Sequence, residues 1–120
     1  MNEEFWRDKS VLVTGASGFV GSHLLRALTG RTHILLPSIG SRRFDLRSED
    51  EVKRMFDSAL LHGRGIDMLF HLAATVGGIG ANRDRPADFY YDNAMMNALI
   101  VKYSTLANVG KLVCLGSVCA

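Results

Sequence analysis

Cysteine is scarce: two residues, Cys114 and Cys119, in a chain of 120. They are too few and too close together to staple a disulfide scaffold, and a reducing compartment is the expected setting. An excess of either charge is also lacking. Fourteen Lys and Arg stand against twelve Asp and Glu, a balance too even for a nucleic-acid groove or a membrane-surface patch. No apolar run approaches the ~20 residues that span a bilayer. The first nine residues are charged where a secretory signal would need an apolar stretch. The expected location is therefore the cytoplasm. Internal repeats, low-complexity segments and linkers are missing as well, so the length predicts one globular domain.

What is present alternates strand and helix. Ser10-Val11-Leu12-Val13-Thr14 is a short β-branched run ended by Gly15, the pattern of a buried parallel strand. Val20, Leu24, Ala27 and Leu28 then recur on one helical face, and Thr29-Gly30 closes that helix. Residues 33–36 read as a second strand stopped by Pro37. Ser48 with Glu51 three residues later forms a capping box ahead of Val52, Met55, Phe56, Ala59 and Leu60. A third strand is expected over 66–72 and a glycine-rich loop over 76–80. A long helix over roughly 88–108 follows, ended by Gly110, with a fourth strand over 111–116. Short connections between such elements imply right-handed crossovers and a parallel sheet with helices on both faces, a Rossmann-type α/β fold. The chain stops at Ala120, just past the tip of strand four, where one face and one edge of that strand would lack cover. The expectation is the amino-terminal portion of a longer doubly wound fold.

Gly15-Ala16-Ser17-Gly18-Phe19-Val20-Gly21 lies between the first strand and the first helix. Gly15 allows the tight turn, Gly18 lets the backbone approach a diphosphate, and Gly21 lets helix pack on strand. A diphosphate would then sit on a helix amino terminus, where free N–H groups and the dipole favour negative charge. Ser17, Phe19 and Val20 complete this expected cofactor loop. Nucleotide preference is read from the end of strand two. An NAD site places an acid there for the ribose 2′-OH, but the segment 36–43 holds no carboxylate before Asp45. Arg42 or Arg43 could pair with a 2′-phosphate, so NADP is favoured over NAD. The excess of Arg over Lys, ten to four, points the same way, toward phosphate or carboxylate recognition.

At this point the residues carry a resemblance. Thr14-Gly15-Ala16-Ser17-Gly18-Phe19-Val20-Gly21 and His71-Leu72-Ala73-Ala74 resemble the extended short-chain dehydrogenase/reductases that epimerise, dehydrate or reduce nucleotide sugars. Val76-Gly77-Gly78-Ile79-Gly80-Ala81-Asn82-Arg83, Pro86-Ala87-Asp88-Phe89, Tyr91-Asp92-Asn93 and Leu115-Gly116-Ser117-Val118-Cys119-Ala120 are more narrowly similar to the GDP-L-fucose synthases. The resemblance implies NADPH-dependent 3,5-epimerisation and 4-reduction of GDP-4-keto-6-deoxy-mannose by a full-length homodimer. It implies that Asp45 and Leu46 flank the adenine and that Leu72, Ala73 and Ala74 pass along the cofactor. It also implies that Ser117 hydrogen-bonds the C4 carbonyl, where a hydroxyl donor can stabilise developing negative charge. Cys119 would move a proton during epimerisation, a task a tuned thiol can perform.

One part of the family pattern is missing. The reductase proton donor is a Tyr-x-x-x-Lys pair, but Tyr90, Tyr91 and Tyr103 are followed four residues on by Ala94, Met95 and Ala107. The 120 residues alone are expected to be inactive. The alternatives are another nucleotide-sugar epimerase, dehydratase or 4-reductase, or a non-catalytic NADP-binding module that recruits a partner through the bare edge of strand four. No metal site is expected. Plainer roles are expected elsewhere. Cys114 reads as a core residue and His71 as a structural histidine. His23 and His62 read as helix-surface residues, Asn93 and Asn97 as bonding neighbouring loops, and the Tyr90-Tyr91 pair as packing.

Overall fold

The computed structural model describes residues 2–35, 37 and 44–116. In chain order they form α1 (Glu3–Trp6), β1 (Ser10–Thr14), α2 (Phe19–Leu28), β2 (His33–Ile34), α3 (Glu49–Leu60), β3 (Met68–His71), α4 (Ile79–Asp84), α5 (Pro86–Leu106) and β4 (Lys111–Cys114). The strands pair in parallel in the order β2-β1-β3-β4. Strand order reverses direction at β1, and in open α/β sheets such a switch point opens a crevice beyond the strands' carboxyl ends.

Alternation along each strand sends side chains to opposite faces. Val11 and Val13 are buried with Leu28 of α2, and Trp6, Met68 and Phe70 pack against them. Leu12 and Leu69 face the other way into a larger core with Val52, Met55 and Phe56 of α3 and Met96, Leu99 and Ile100 of α5. The expected layering, helices on both faces of a parallel sheet, is therefore present. Ser48 caps α3 by accepting from the Glu51 N–H at 3.5 Å. Glu49 braces α3 against α5, accepting from Lys102 and, at 3.1 Å, from the Tyr103 hydroxyl.

Several boundaries and burials depart from the sequence reading. The short α1, capped by Asn2, was not expected. The helix expected over 88–108 begins at Pro86 and ends at Leu106, and a separate helix, α4, occupies part of the expected loop. Proline needs no N–H partner in a first turn and pushes its predecessor out of the helical region. Arg85 accordingly sits at φ −133°, ψ 50°. At the other end Asn108, not Gly110, adopts the left-handed conformation, with φ 52°, and Val109 N–H closes back on the Ser104 carbonyl at 2.9 Å. Val20 was placed on the buried face of α2 but is 45% exposed. The packed stripe is Gly21, Leu24, Leu25 and Leu28 instead. Cys114 was expected in the core, yet it is exposed at the end of the edge strand. Tyr90 and Tyr91 are exposed rather than packed.

His71, at the tip of β3, is buried as a structural histidine should be. Its Nδ1 accepts from the Thr14 hydroxyl of β1 at 2.6 Å, and its Nε2–H donates to Asn97 Oδ1 of α5 at 2.9 Å. The neutral ring satisfies both partners, and burial lowers its pKa from the ordinary value.

Two outcomes follow from this architecture. Gly110 leads into β4 where a Cβ would stand 2.7 Å from the Asp67 carbonyl oxygen. Gly110→Ala should therefore lower stability by about 1–3 kcal/mol in urea unfolding, the usual cost of overpacking. Because folding favours neutral His71, the unfolded chain binds more protons than the folded one below the ordinary histidine value of 6.5. Stability should thus be full above that pH and fall as the pH drops below 6.5 toward the lowered folded-state value. His71→Gln should flatten this dependence in melts run across the same window.

Candidate functional site

The carboxyl ends of β1 and β3 open onto one cleft of about 620 Å³, a size within the usual range for small-molecule and cofactor sites. Its first wall is the glycine turn. Gly15 leaves β1 at φ +70°, and the Gly18 N–H closes the turn on the Gly15 carbonyl at 3.0 Å. Both outer glycines are demanded by close approach. A Cβ on Gly15 would stand 2.6 Å from the Ala73 nitrogen, and one on Gly21 would stand 2.1 Å from the Gly15 oxygen. Gly18 differs: it is the N-cap of α2, its backbone is extended, and no side chain caps the helix. The first-turn N–H groups of a ten-residue helix are thus left at the cleft's edge, a ready anion site.

The second wall is the segment leaving β3. Ala73, Ala74 and Thr75 line the cleft. Thr75 is held at both peptide groups by Asn93 of α5, which accepts from its N–H at 2.8 Å and donates to its carbonyl at 2.9 Å. The Ala73 N–H reaches Thr14 Oγ1 at 3.4 Å, so the His71 chain of bonds also fixes this wall.

The third wall precedes α3. Phe44, Asp45, Leu46 and Arg47 line the cleft, with Met55 of α3 and Asp92 and Met96 of α5. Arg47 grips Asp45 twice, Nε to Oδ1 at 3.0 Å and Nη2 to Oδ2 at 3.1 Å, and reaches Asp92 Oδ2 at 3.3 Å. These bonds hold the Asp45 carboxyl below the usual carboxylate range, while its two acids raise the Arg47 pKa.

Of the residues singled out from sequence, the structure gathers Gly15, Ser17, Asp45, Leu46, Ala73 and Ala74 around the cleft. Gly18, Phe19, Val20 and Gly21 follow as the start of α2. Leu72 packs into the core on the α2 side of the sheet and is not among the cleft-lining residues. Arg42, Arg43, Ser117 and Cys119 lie outside the described residues. Arg47, Met55, Thr75, Asp92 and Met96 line the cleft without having been identified beforehand. Asp92 alone had a signal, since it stands inside the Tyr91-Asp92-Asn93 motif. Among the described residues no three His, Cys, Asp or Glu side chains gather as a metal site, and no helix is long and apolar enough to cross a membrane.

Known proteins resemble this chain in sequence and in fold. GDP-L-fucose synthase of Escherichia coli is 37% identical over 113 residues, covering 91% of this chain and 32% of its own length. GDP-mannose 3,5-epimerase 1 of Oryza sativa is 27% identical over 127 residues, covering 98% and 33%. Among solved structures, a GDP-mannoheptose C4 reductase from Campylobacter jejuni with NADP bound superposes with a TM-score of 0.76 at 27% identity, covering 92% of this chain and 31% of that one. The chain thus spans about a third of the length of these relatives. The sequence pattern of the NAD dependent epimerase/dehydratase family matches residues 11–120, from the first buried strand through the glycine turn and the cleft walls to the last residue; the chain belongs to that family.

Proposed function

We propose that this chain is the cofactor-binding portion of an NADPH-dependent nucleotide-sugar epimerase/reductase, acting in its full-length form on GDP-4-keto-6-deoxy-mannose to give GDP-L-fucose. The observation that carries the reading is the uncapped amino terminus of α2, set behind the Gly15–Gly18 turn on the edge of a cleft of cofactor size. The similarity to GDP-L-fucose synthases of E. coli and Sinorhizobium fredii, at 37% and 34% identity, supports the substrate. A GDP-L-fucose synthetase from Naegleria fowleri bound to NADP, at a TM-score of 0.69 and 29% identity, supports the cofactor.

The residues present fit a dinucleotide. The α2 amino terminus and the turn backbone take the diphosphate, with Gly18 leaving room for it. Asp45 and Leu46 flank the adenine, and Ala73 and Ala74 give the chain past β3 a low profile along the cofactor. Arg42 or Arg43 answers a 2′-phosphate. When bound, NADPH supplies the hydride for reduction at C4. Ser117 donates a hydrogen bond to the C4 oxygen, and Cys119 moves a proton at the epimerised carbon. The tyrosine that completes the reduction has no Tyr-x-x-x-Lys counterpart within the 120 residues, so turnover belongs to a chain of the relatives' length, acting as a homodimer in the cytoplasm.

A second reading, a different nucleotide-sugar epimerase or 4-reductase, is favoured by the likeness to the rice epimerase and the Campylobacter C4 reductase. Product analysis separates the two. A full-length protein that consumes NADPH and converts GDP-4-keto-6-deoxy-mannose to GDP-L-fucose upholds the first, and one that leaves it untouched sinks it.

Binding and folding can be pulled apart at one residue. Gly18→Asp places a side-chain acceptor at the N-cap of α2 and should leave stability unchanged or raise it by only about a few tenths of a kcal/mol. The same carboxylate fills and repels the diphosphate position, so NADPH affinity measured by fluorescence titration should fall at least tenfold. Unchanged affinity in this folded variant would refute the cradle. The wild-type chain should also bind NADPH more tightly than NADH, and equal affinities would remove the NADP preference.

A further inference from the structure

Arg47, in the segment ahead of α3, meets Asp92 of α5 at 3.3 Å, and both residues line the cleft. The bond therefore joins two parts of the third wall that come from different elements, the segment ahead of α3 and α5 itself. The guanidinium is already held for the task. Its Nε and Nη2 are paired with Asp45, whose Oδ1 also accepts the Arg47 backbone N–H at 3.0 Å. Such a forked, prearranged arginine loses little further freedom in gripping Asp92. The Asp92 side chain is only 18% exposed, against 49% for Arg47. The acid is seated in the wall, while the cation reaches out to it.

Beside this bond lie buried Leu46, Met55 and Met96 and the half-buried Phe44, an apolar lining suited to a flat ring. One guanidinium between two carboxylates leaves a formal charge of −1. That charge does not recruit a phosphate. It suits an uncharged heterocycle with amino hydrogens to donate, laid beside a planar guanidinium that stacks on aromatic faces.

We propose that Arg47 and Asp92 form a strap over a base-binding slot, a pair of positioning residues that retain the adenine end of the dinucleotide. The proposal rests on the cofactor reading above and adds to it two residues and a role. The strap slows escape of the base without touching the diphosphate cradle, which lies on a different wall. Because the pair is partly exposed, salt weakens it.

The test is the rate of NADPH release from the 120-residue chain, followed by stopped-flow displacement in the wild type, Asp92→Asn, Arg47→Gln and the double variant. Circular dichroism establishes that each is folded. Each single substitution should speed release about three- to fivefold, the scale of one partly exposed ion pair. The double variant should be no faster than the faster single variant, since either change already removes the ion pair. The gap between wild type and Asp92→Asn should close in 0.5 M KCl. A folded Asp92→Asn that releases NADPH at the wild-type rate overturns the strap, as do single effects that simply multiply in the double variant. A wild-type chain that binds neither NADPH nor NADH overturns the cofactor reading itself, and the strap with it.

Discussion

The backbone of Gly15 lies against the backbone of Ala73, close enough that a single added carbon would stand 2.6 Å from its nitrogen. That contact brings the exit of β1 and the exit of β3 together, and it determines where the cleft is. Gly21 presses on Gly15 from the other side in the same way. Three stretches of main chain meet with almost no side chain between them, so the amino terminus of α2 lies directly at the strand ends. Hydrophobic burial on the two faces of the sheet stabilises the fold as a whole. By itself that burial does not set the amino terminus of α2 against the strand ends. The glycine contacts, not the core, make the helix terminus part of the cleft.

The rest of the site is held in place by polar bonds to one helix. Asn97 of α5 reaches the ring of His71, which reaches Thr14, while Asn93 grips both peptide groups of Thr75. Among the described residues, the main-chain ladder past β3 reaches no further than Leu72, whose N–H meets the Thr14 carbonyl at 3.1 Å. A side-chain amide takes over from the ladder there. This satisfies main-chain groups that would otherwise lie partly buried and unpaired. It also keeps the small residues Ala73 and Ala74 at a fixed distance from the glycine turn.

Local signals made much of this legible. The β-branched run at 10–14, the close-packed Gly15 and Gly21 and the Ser48 N-cap each act over a few residues and appear where the sequence placed them. The Ser48 N–H, however, bonds the Asp45 carbonyl rather than closing a capping box with the Glu51 side chain. The sheet and its layers followed from alternation alone. Less visible were features set by partners distant in sequence. Asn93 and Asn97 are ordinary helix residues until α5 is laid beside β3, and Arg47 becomes part of the cleft only when Asp92, 45 residues on, faces it. Val20 fitted a helical stripe by spacing, yet it stands in the first turn of α2, where Gly21 makes the close contact. Cys114 looked like core because β-strands usually have two neighbours, whereas among the described residues its strand has one. Pro86 was a readable helix start that the apolar periodicity obscured.

Helix α5 has a stricter requirement than its composition suggests. It runs 21 residues, about 30 Å at 1.5 Å per residue. It presents Asp92, Asn93, Met96 and Asn97 to the cleft and its surroundings and Lys102 and Tyr103 to α3. One residue inserted or deleted between these two groups would rotate one end about 100° relative to the other. Either the amides would leave the strand tips or the brace to α3 would be lost. Length changes should therefore be excluded from the interior of this helix and admitted only past its end, where Asn108 already turns the chain. In α5 a helix carries the kind of phase constraint usually associated with paired β-strands.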